Sequence, residues 1–330
     1  MLLVTGAAGY VASHVLRTYL SENSTEEIVA LDDLSEGHKQ AIPQSPRVHF
    51  EEGNLGDAAA LNDLFTRYKP TGVMHFGASA YVGVSENEPF KYYQNNVVNF
   101  VNLTQVMDAH NVRRIVFSSS CAVYGDPQTV PVDENHPLKP VSVYGQTKYM
   151  NEIMLQSLAR TRGLSSISLR YFNAAGADES GEIGERHDPE THLIPLVLKV
   201  AKARRGHIDV YGTDYPTRDG SCIRDYIHVT DLARAHIAAL KLLEGAGDET
   251  ICQFINLGTA NGASVLEVID VCRKVTGFDI PANLQPRRPG DAAVIYANND
   301  KAARLLNWTP QYSLERIVET AWKWEQHGKF

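Results

Sequence analysis

Cysteine is scarce in this 330-residue chain, and the four present, Cys121, Cys222, Cys252 and Cys272, form no CxxC pair and no ordered spacing. Neither a disulfide framework nor a thiolate zinc site is expected from such an arrangement. Basic blocks are also missing. The 31 Lys and Arg are dispersed among 39 acidic residues, no run is longer than a pair such as Arg204-Arg205 or Arg287-Arg288, and the net charge is -8. Nucleic acid is therefore not expected as a main partner. No apolar run approaches the ~18 residues that span a bilayer, so no membrane partner is expected. The start, "MLLVTGAAGYVASHV", is broken by glycine within six residues and has no basic region followed by a long apolar run, unlike a signal peptide. The twelve histidines show no spacing of the HExxH kind, and none is assigned to a metal. With 43% hydrophobic residues there is ample material for a core, and a soluble, reduced, cytoplasmic protein is expected.

What is present is a rhythm. Short apolar or β-branched runs recur at 2–5 (LLVT), 28–32 (IVALD), 48–52 (VHFEE), 72–76 (GVMHF), 114–120 (RIVFSSS) and 165–171 (SSISLRY), with longer helix-like segments between them. Continuously apolar strands at such intervals suit a parallel sheet covered on both faces, so the expected fold is a doubly wound α/β sheet. Beyond about residue 173 the rhythm becomes irregular, and "AAGADESGEIGERHDPETH" reads as a long loop. Helical patterns return at "LIPLVLKVAKARRG", "VTDLARAHIAALKLLEG", "SVLEVIDVCRKVTG" and "LERIVETAWKWEQHG". The expected organisation is a nucleotide-binding domain, 1–173, and a smaller mixed α/β domain, 174–330, with about 225–255 crossing back to the first.

In "VTGAAGYVASHV", Gly6 and Gly9 follow the first strand and precede a helix. Gly6 suits a tight turn, Gly9 lets backbone approach a pyrophosphate, and the helix start offers free N–H groups. Ala12 takes the third small position. The next strand ends in "ALDDL", which places Asp32 and Asp33 where a carboxylate bonds ribose hydroxyls and repels a 2′-phosphate, favouring NAD over NADP. An ordinary turn with surface aspartates is the plain alternative.

The strand "RIVFSSS" ends in Ser118, Ser119 and Ser120, and carboxyl ends of parallel strands are where ligands bind in open sheets. Serines that merely bond local backbone are an equal competitor. Downstream, "SVYGQTKYMNE" begins a helix near Ser142, with Val143, Thr147, Met150, Met154 and Leu158 as the expected core-facing stripe. Tyr144 and Lys148 lie four apart beside it, on one face. A tyrosine titrates near 10, so a role as base needs a neighbouring cation. Chance supplies about half a Tyr-x-x-x-Lys per chain of this composition. Its order after a glycine turn, a ribose-type acid and a serine-ended strand carries more weight than its spacing.

These motifs, with "HFGASAYVGVS", "YYQNNV", "FSSSCAVYGD", "LRYFNAAGA", "HLIPLVL", "YGTDYPTRDGSCIRDYIHVTDLA", "NLGTANGASVLEVI" and "RRPGDAAVIYANNDKA", span nearly the whole chain. Together they resemble the extended short-chain dehydrogenases/reductases, and within them the UDP-glucose 4-epimerase branch. The resemblance implies Tyr10 and Val11 against the pyrophosphate of NAD, Asp32, Asp33, Leu34 and Ser35 at the adenosine ribose, and Asn54 and Leu55 at adenine. It implies Phe76, Gly77, Ala78 and Asn95 along the rest of the channel, with Phe172 near the nicotinamide. For a UDP-sugar partner it implies Asn173, His192, Leu193, Tyr211, Arg224, Arg288 and Asp291, the arginines taking the diphosphate. Read alone, Arg288 is a solvated surface charge.

The implied reaction oxidises the sugar 4-hydroxyl, turns the 4-keto intermediate and reduces it from the other face, with Tyr144 as base, Ser120 on the same oxygen and Lys148 supporting both phenolate and nicotinamide ribose. Three departures from the pattern stand out. Asn54 replaces the usual Asp, Cys121-Ala122 replaces a pair that commonly carries a hydroxyl, and His192 stands where many relatives have asparagine. Competing readings are an epimerase of another UDP-sugar (N-acetylated, pentose or uronic), with Ile295 at the pocket-size position, a nucleotide-sugar 4,6-dehydratase, and a non-catalytic NAD-binding protein. The dehydratase needs an acid and a base where this chain has Cys121-Ala122, and a non-catalytic protein would be expected to have lost Tyr144 or Lys148. Relatives of this type imply a homodimer.

Overall fold

The apolar runs become the centre of the molecule. In the computed structural model, which describes residues 1–22, 25–288, 291–328 and 330, β1 (Leu2–Thr5), β2 (Ile28–Asp32), β3 (Val48–Glu52), β4 (Gly72–His75), β5 (Arg114–Ser118) and β6 (Ser165–Tyr171) share one sheet. A seventh strand, Cys252–Leu257, pairs with β6. All six pairings are parallel. From edge to edge the order is the seventh strand, β6, β5, β4, β1, β2, β3. This is the doubly wound sheet read from the strand pattern.

Alternation along β1 explains the layers. Leu2 and Val4 point into a core shared with Ala12, Leu16, Leu232 and Leu240, while Leu3 points into another with Val29, Phe65, Phe100 and Leu155. Successive side chains of a strand face opposite sides, so a strand buried on both faces has no polar positions to spare. The order in which strands are added reverses between β1 and β4, and such a switch point opens a crevice at the carboxyl ends of the strands.

After β6 the chain builds a second, smaller core around the helices Leu193–Ala201, Val265–Thr276 and Leu314–His327. β7 (Asn173–Ala175) pairs with Tyr226–His228, and Ile223–Arg224 pairs with Ala263–Ser264 and Val294–Ile295. Ser264 and Glu267 close a capping box at the start of the second of those helices, satisfying two otherwise unpaired N–H groups. Between these elements the chain returns to the first body. Helix Val229–Gly245 packs on helix Tyr10–Ser21 in the core of the large sheet, and Cys252–Leu257 extends that sheet.

Candidate active site

The crevice holds a cavity of about 350 Å³, within the range of small-molecule sites. Among its walls are Gly6, Gly9, Tyr10, Val11, Asp32, Asp33, Ser35, Asn54, Leu55, Phe76, Gly77, Ala78, Asn95, Ser120, Tyr144, Phe172, Asn173 and His192. Leu34, Lys148, Leu193, Tyr211, Arg224, Arg288 and Asp291 are not among them.

The glycine turn is forced by crowding. Gly6 has φ +68°, and a Cβ there would lie 2.5 Å from the backbone nitrogen of Gly77, so only glycine lets the ends of β1 and β4 meet. Gly9 caps helix Tyr10–Ser21 with no side chain, and Ser13 N–H is the first to reach a helical carbonyl, Gly9 O at 3.0 Å. The N–H groups of Tyr10, Val11 and Ala12 have no partner within the helix. With the helix dipole they form an anion-binding end.

Asp32 ends β2 and is tied into this turn. Its Oδ2 accepts from Ala8 N–H (2.9 Å) and its Oδ1 from Leu34 N–H (2.8 Å). Burial raises its pKa, and these two bonds oppose the rise. Leu34 is held at φ +59°, a left-handed conformation that costs a non-glycine residue about 1–2 kcal/mol. Asp33 accepts from Ser35 Oγ (2.6 Å) and from Asn54 Nδ2 (2.6 Å), while Asn54 Oδ1 accepts from Gly56 N–H (2.7 Å) and Asn99 Nδ2 (3.3 Å). Asn54 thus orients Asp33, and its oxygen already has two donors. Asn95 lies in a π-helical turn, Tyr93–Val98, and donates to Ser79 Oγ at 3.1 Å, a local geometry frequent at functional sites.

Ser120 and Tyr144 meet on the cavity wall, with Lys148 beside the Tyr144 ring. Ser142 caps helix Val143–Arg162 by accepting from Gly145 N–H at 3.1 Å. A Cβ on Gly145 would lie 2.6 Å from Ala122 O, so glycine lets this helix press against the turn after Ser120 and brings phenol and serine together. Burial pushes the Tyr144 phenol well above its ordinary 10, with the Ser120 hydroxyl working in the opposite direction. Lys148 Nζ donates to Ser118 O at 2.8 Å and lies 5.7 Å from the centre of the Tyr144 ring. Burial pulls the ammonium down to about 7, opposed by Glu152. In the free protein, therefore, burial favours neutral phenol and weakens the cation beside it.

The face this helix buries differs from the expected stripe. Tyr144, Thr147, Lys148, Asn151, Glu152 and Leu155 are buried, Val143, Met154 and Leu158 are partly covered, and Met150 is exposed. The helix packs on a polar network, so its hydrophobic periodicity points the wrong way. Glu152 accepts from Arg170 at 2.9 and 2.7 Å and from Ser119 Oγ at 2.7 Å, and Arg170 also donates to Tyr124 OH at 3.0 Å. Both charges are almost wholly buried. Fully bonded pairs of this kind hold a unique geometry, here that of the serine turn. Sequence reasoning missed Glu152 and Arg170, although Glu152 stands one turn after Lys148 and Arg170 lies within "LRYFNAAGA".

A second group forms outside these walls. Arg288 Nε donates to Asp291 Oδ2 at 2.9 Å, Arg224 reaches Asp291 Oδ1 at 3.6 Å, and the Arg288 guanidinium lies 4.8 Å from the centre of the Tyr211 ring. Asn173 Nδ2 donates to Asp225 O at 2.9 Å. Phe172 and Ile295 share a small buried cluster with Tyr124. His192 precedes Leu193, the first residue of its helix, and contacts Glu185. Burial would lower His192, but the Glu185 charge raises it overall.

The model of the NAD dependent epimerase/dehydratase family matches residues 2–258. UDP-glucose 4-epimerase of Halalkalibacterium halodurans is 46% identical over 331 residues, covering 99% of this chain and 97% of that one. The solved structure of UDP-glucose 4-epimerase from Brucella ovis in complex with NAD is similar at a TM-score of 0.92 and 42% identity, with 97% of each chain covered. That of UDP-glucose 4-epimerase from Bifidobacterium longum in complex with NAD+ and UDP is similar at a TM-score of 0.90 and 35% identity, with 98% of each chain covered.

Proposed function

The chain belongs to the NAD dependent epimerase/dehydratase family, and from that premise we propose that it interconverts UDP-glucose and UDP-galactose through a 4-keto intermediate, with NAD as its bound cofactor. The observation that carries this reading is the meeting of Ser120 and Tyr144 on the cavity wall, with Lys148 beside the Tyr144 ring. The chemistry of the walls fits NAD. The free N–H groups of Tyr10, Val11 and Ala12 suit a pyrophosphate, and the carboxylates of Asp32 and Asp33 suit ribose hydroxyls and disfavour a 2′-phosphate.

Bound NAD supplies the hydride acceptor, in reduced form the donor, and when oxidised a positive ring that favours the Tyr144 phenolate. Tyr144 Oη takes the proton of the sugar 4-hydroxyl and returns it after the sugar has turned. Ser120 Oγ bonds the same sugar oxygen, and Lys148, beside the ring, supports the phenolate that burial opposes. Arg224 and Arg288 hold the diphosphate and give up their pairing with Asp291. Anchoring at UDP leaves the sugar free to present either face. Tyr211, Asn173, His192 and Leu193 complete the UDP side, and residues 1–173 and 174–330 are the NAD and UDP-sugar halves, with about 225–255 crossing back to the first.

Two observations disfavour dehydratase chemistry at this site. Ala122 has no functional group, and burial pushes the Cys121 thiol up to about 12, so neither supplies the acid and base that elimination requires. Homodimerisation is supported by the exposed apolar Val98, Met150 and Ile153 on two packed helical segments. A cytoplasmic setting is consistent with four free cysteines and, among the described residues, no helix long and apolar enough to cross a membrane. Incubating the purified protein with UDP-galactose and no added NAD tests the reaction. UDP-glucose should form without net NADH, and absence of turnover with Tyr144 intact and NAD bound would overturn it.

A further inference from the structure

Spacing along the chain assigns no histidine to a metal, yet folding brings four potential ligands of one loop together. Glu185, His187, Glu190 and His192 each present one ligand atom, all within 4.8 Å of one another. His187 Nδ1 lies 3.3 Å from Glu185 Oε1 and 3.6 Å from Glu190 Oε1. His192 Nδ1 contacts Glu185 Oε1 and lies 3.9 Å from Glu190 Oε1. A tetrahedral zinc ion with ligands at about 2.0–2.1 Å has ligand-to-ligand edges of about 3.4 Å. Three of the separations run from that edge to half an ångström beyond it, and the tighter His192–Glu185 contact opens when an ion enters.

The surroundings also favour an ion. The two carboxylates are 4% and 3% exposed, so their charges need a partner other than water. His187 Nδ1 is buried between them without a hydrogen bond. Glu190 Oε1 accepts from the backbone N–H groups of Thr191 (2.8 Å) and His192 (2.9 Å), bonds of the kind that orient a ligating carboxylate. The ring of Tyr81 meets His187 edge-on at 5.4 Å and walls one side.

We propose that Glu185, His187, Glu190 and His192 bind a divalent transition-metal ion of the zinc class beside the cavity wall formed by His187 and His192. Two imidazoles with two carboxylates are a zinc set, whereas magnesium and calcium take oxygen ligands. One dication balances the two carboxylates with both imidazoles neutral, and any proton on either Nδ1 leaves to solvent as the ion binds. Four protein ligands leave no open position, so the ion is structural and takes no part in hydride or proton transfer. It clips the loop that carries Arg186 and His187 to the wall of the cavity.

The test uses untagged full-length protein, stripped with chelator, loaded with ZnCl2 or CoCl2 and desalted. About one zinc per chain is expected by elemental analysis, with a melting temperature several degrees above the stripped protein. The cobalt form should show the visible bands of a tetrahedral nitrogen and oxygen site without thiolate charge transfer. Glu185→Gln and His187→Ala should each retain about tenfold less zinc and lose the thermal shift. His192→Asn, checked by circular dichroism for native fold, should do the same. Wild-type protein that keeps no zinc, variants that keep as much as wild type, or a thiolate band that moves the ion to cysteine would each overturn the proposal.

Discussion

On the inner side of the proposed site Ser120, Tyr144 and Lys148 are buried and held by the helix cap, the Ser118 carbonyl and the Glu152–Arg170 network, whereas on its outer side Arg288 pairs with Asp291 near solvent and Arg224 donates to the Ile223 and Ala292 carbonyls. Arg288 is 61% exposed and its pair with Asp291 lies at the surface, where such a contact contributes about 0–1 kcal/mol. A diphosphate can therefore displace Asp291 at little cost. On the proposed function the difference separates two tasks. Proton transfer needs groups fixed before substrate arrives, while binding by the UDP end needs charge that is available and easily re-paired. Variants of the two sides should consequently fail in different kinetic constants.

The largest effect belongs to the inner side. Tyr144→Phe should lower kcat by about 10²–10⁴, the usual worth of general acid–base catalysis, while bound NAD, read by absorbance after denaturation, stays at the wild-type level. Turnover within tenfold of wild type would remove the distinction between the two sides. Lys148→Met should lower kcat by about 10² and also reveals what burial does to the ammonium. Because burial pulls Lys148 down to about 7 from an ordinary 10.5, its charged form destabilises the cofactor-free fold fully below about pH 7 and progressively less up to about pH 10.5. Cofactor-stripped Lys148→Met should thus exceed wild type in stability near pH 6.5, and chemical denaturation should find the gap narrowing by pH 9.5. A widening gap contradicts the assignment.

The outer side should respond in KM. Arg224→Ala and Arg288→Ala each remove a charge-assisted bond worth about 1.5–3 kcal/mol, so steady-state kinetics with UDP-galactose should show KM raised about 10–100-fold and kcat within a few-fold. A loss confined to kcat would place these arginines with the chemistry instead. The smallest effect is expected at the buried Ile295. Ile295→Val deletes one methylene, costs about 0.5–1.5 kcal/mol of stability, and should raise relative turnover of UDP-GlcNAc over UDP-galactose by a few-fold. An unchanged ratio would remove Ile295 as the residue that sets sugar size.

The same contrast governs what could be read before folding. The strands of the large sheet were legible at β1, β2, β3 and β6 to the residue because a sheet covered on both faces leaves one kind of pattern. The seventh strand, Cys252–Leu257, escaped because it returns from the second body, and no local signal announces its partner. The helix Val143–Arg162 begins at Ser142 as expected, but its buried face was misread. Periodicity assumes an apolar interior, and this helix packs Lys148 and Glu152 inward while Met150 faces out. Glu185, His187, Glu190 and His192 sit in a loop that reads as polar surface, and only its folding brings them together.

One measurement bears most directly on the central claim, that Tyr144, Ser120 and Lys148 serve a hydride that leaves and returns within one bound cofactor. UDP-galactose carrying deuterium at sugar carbon 4 is incubated in ordinary water with the purified protein, and the UDP-glucose formed is examined by mass spectrometry and NMR. Deuterium should be retained at carbon 4 of the product, with none released to solvent. Its replacement by protium from water would contradict the account.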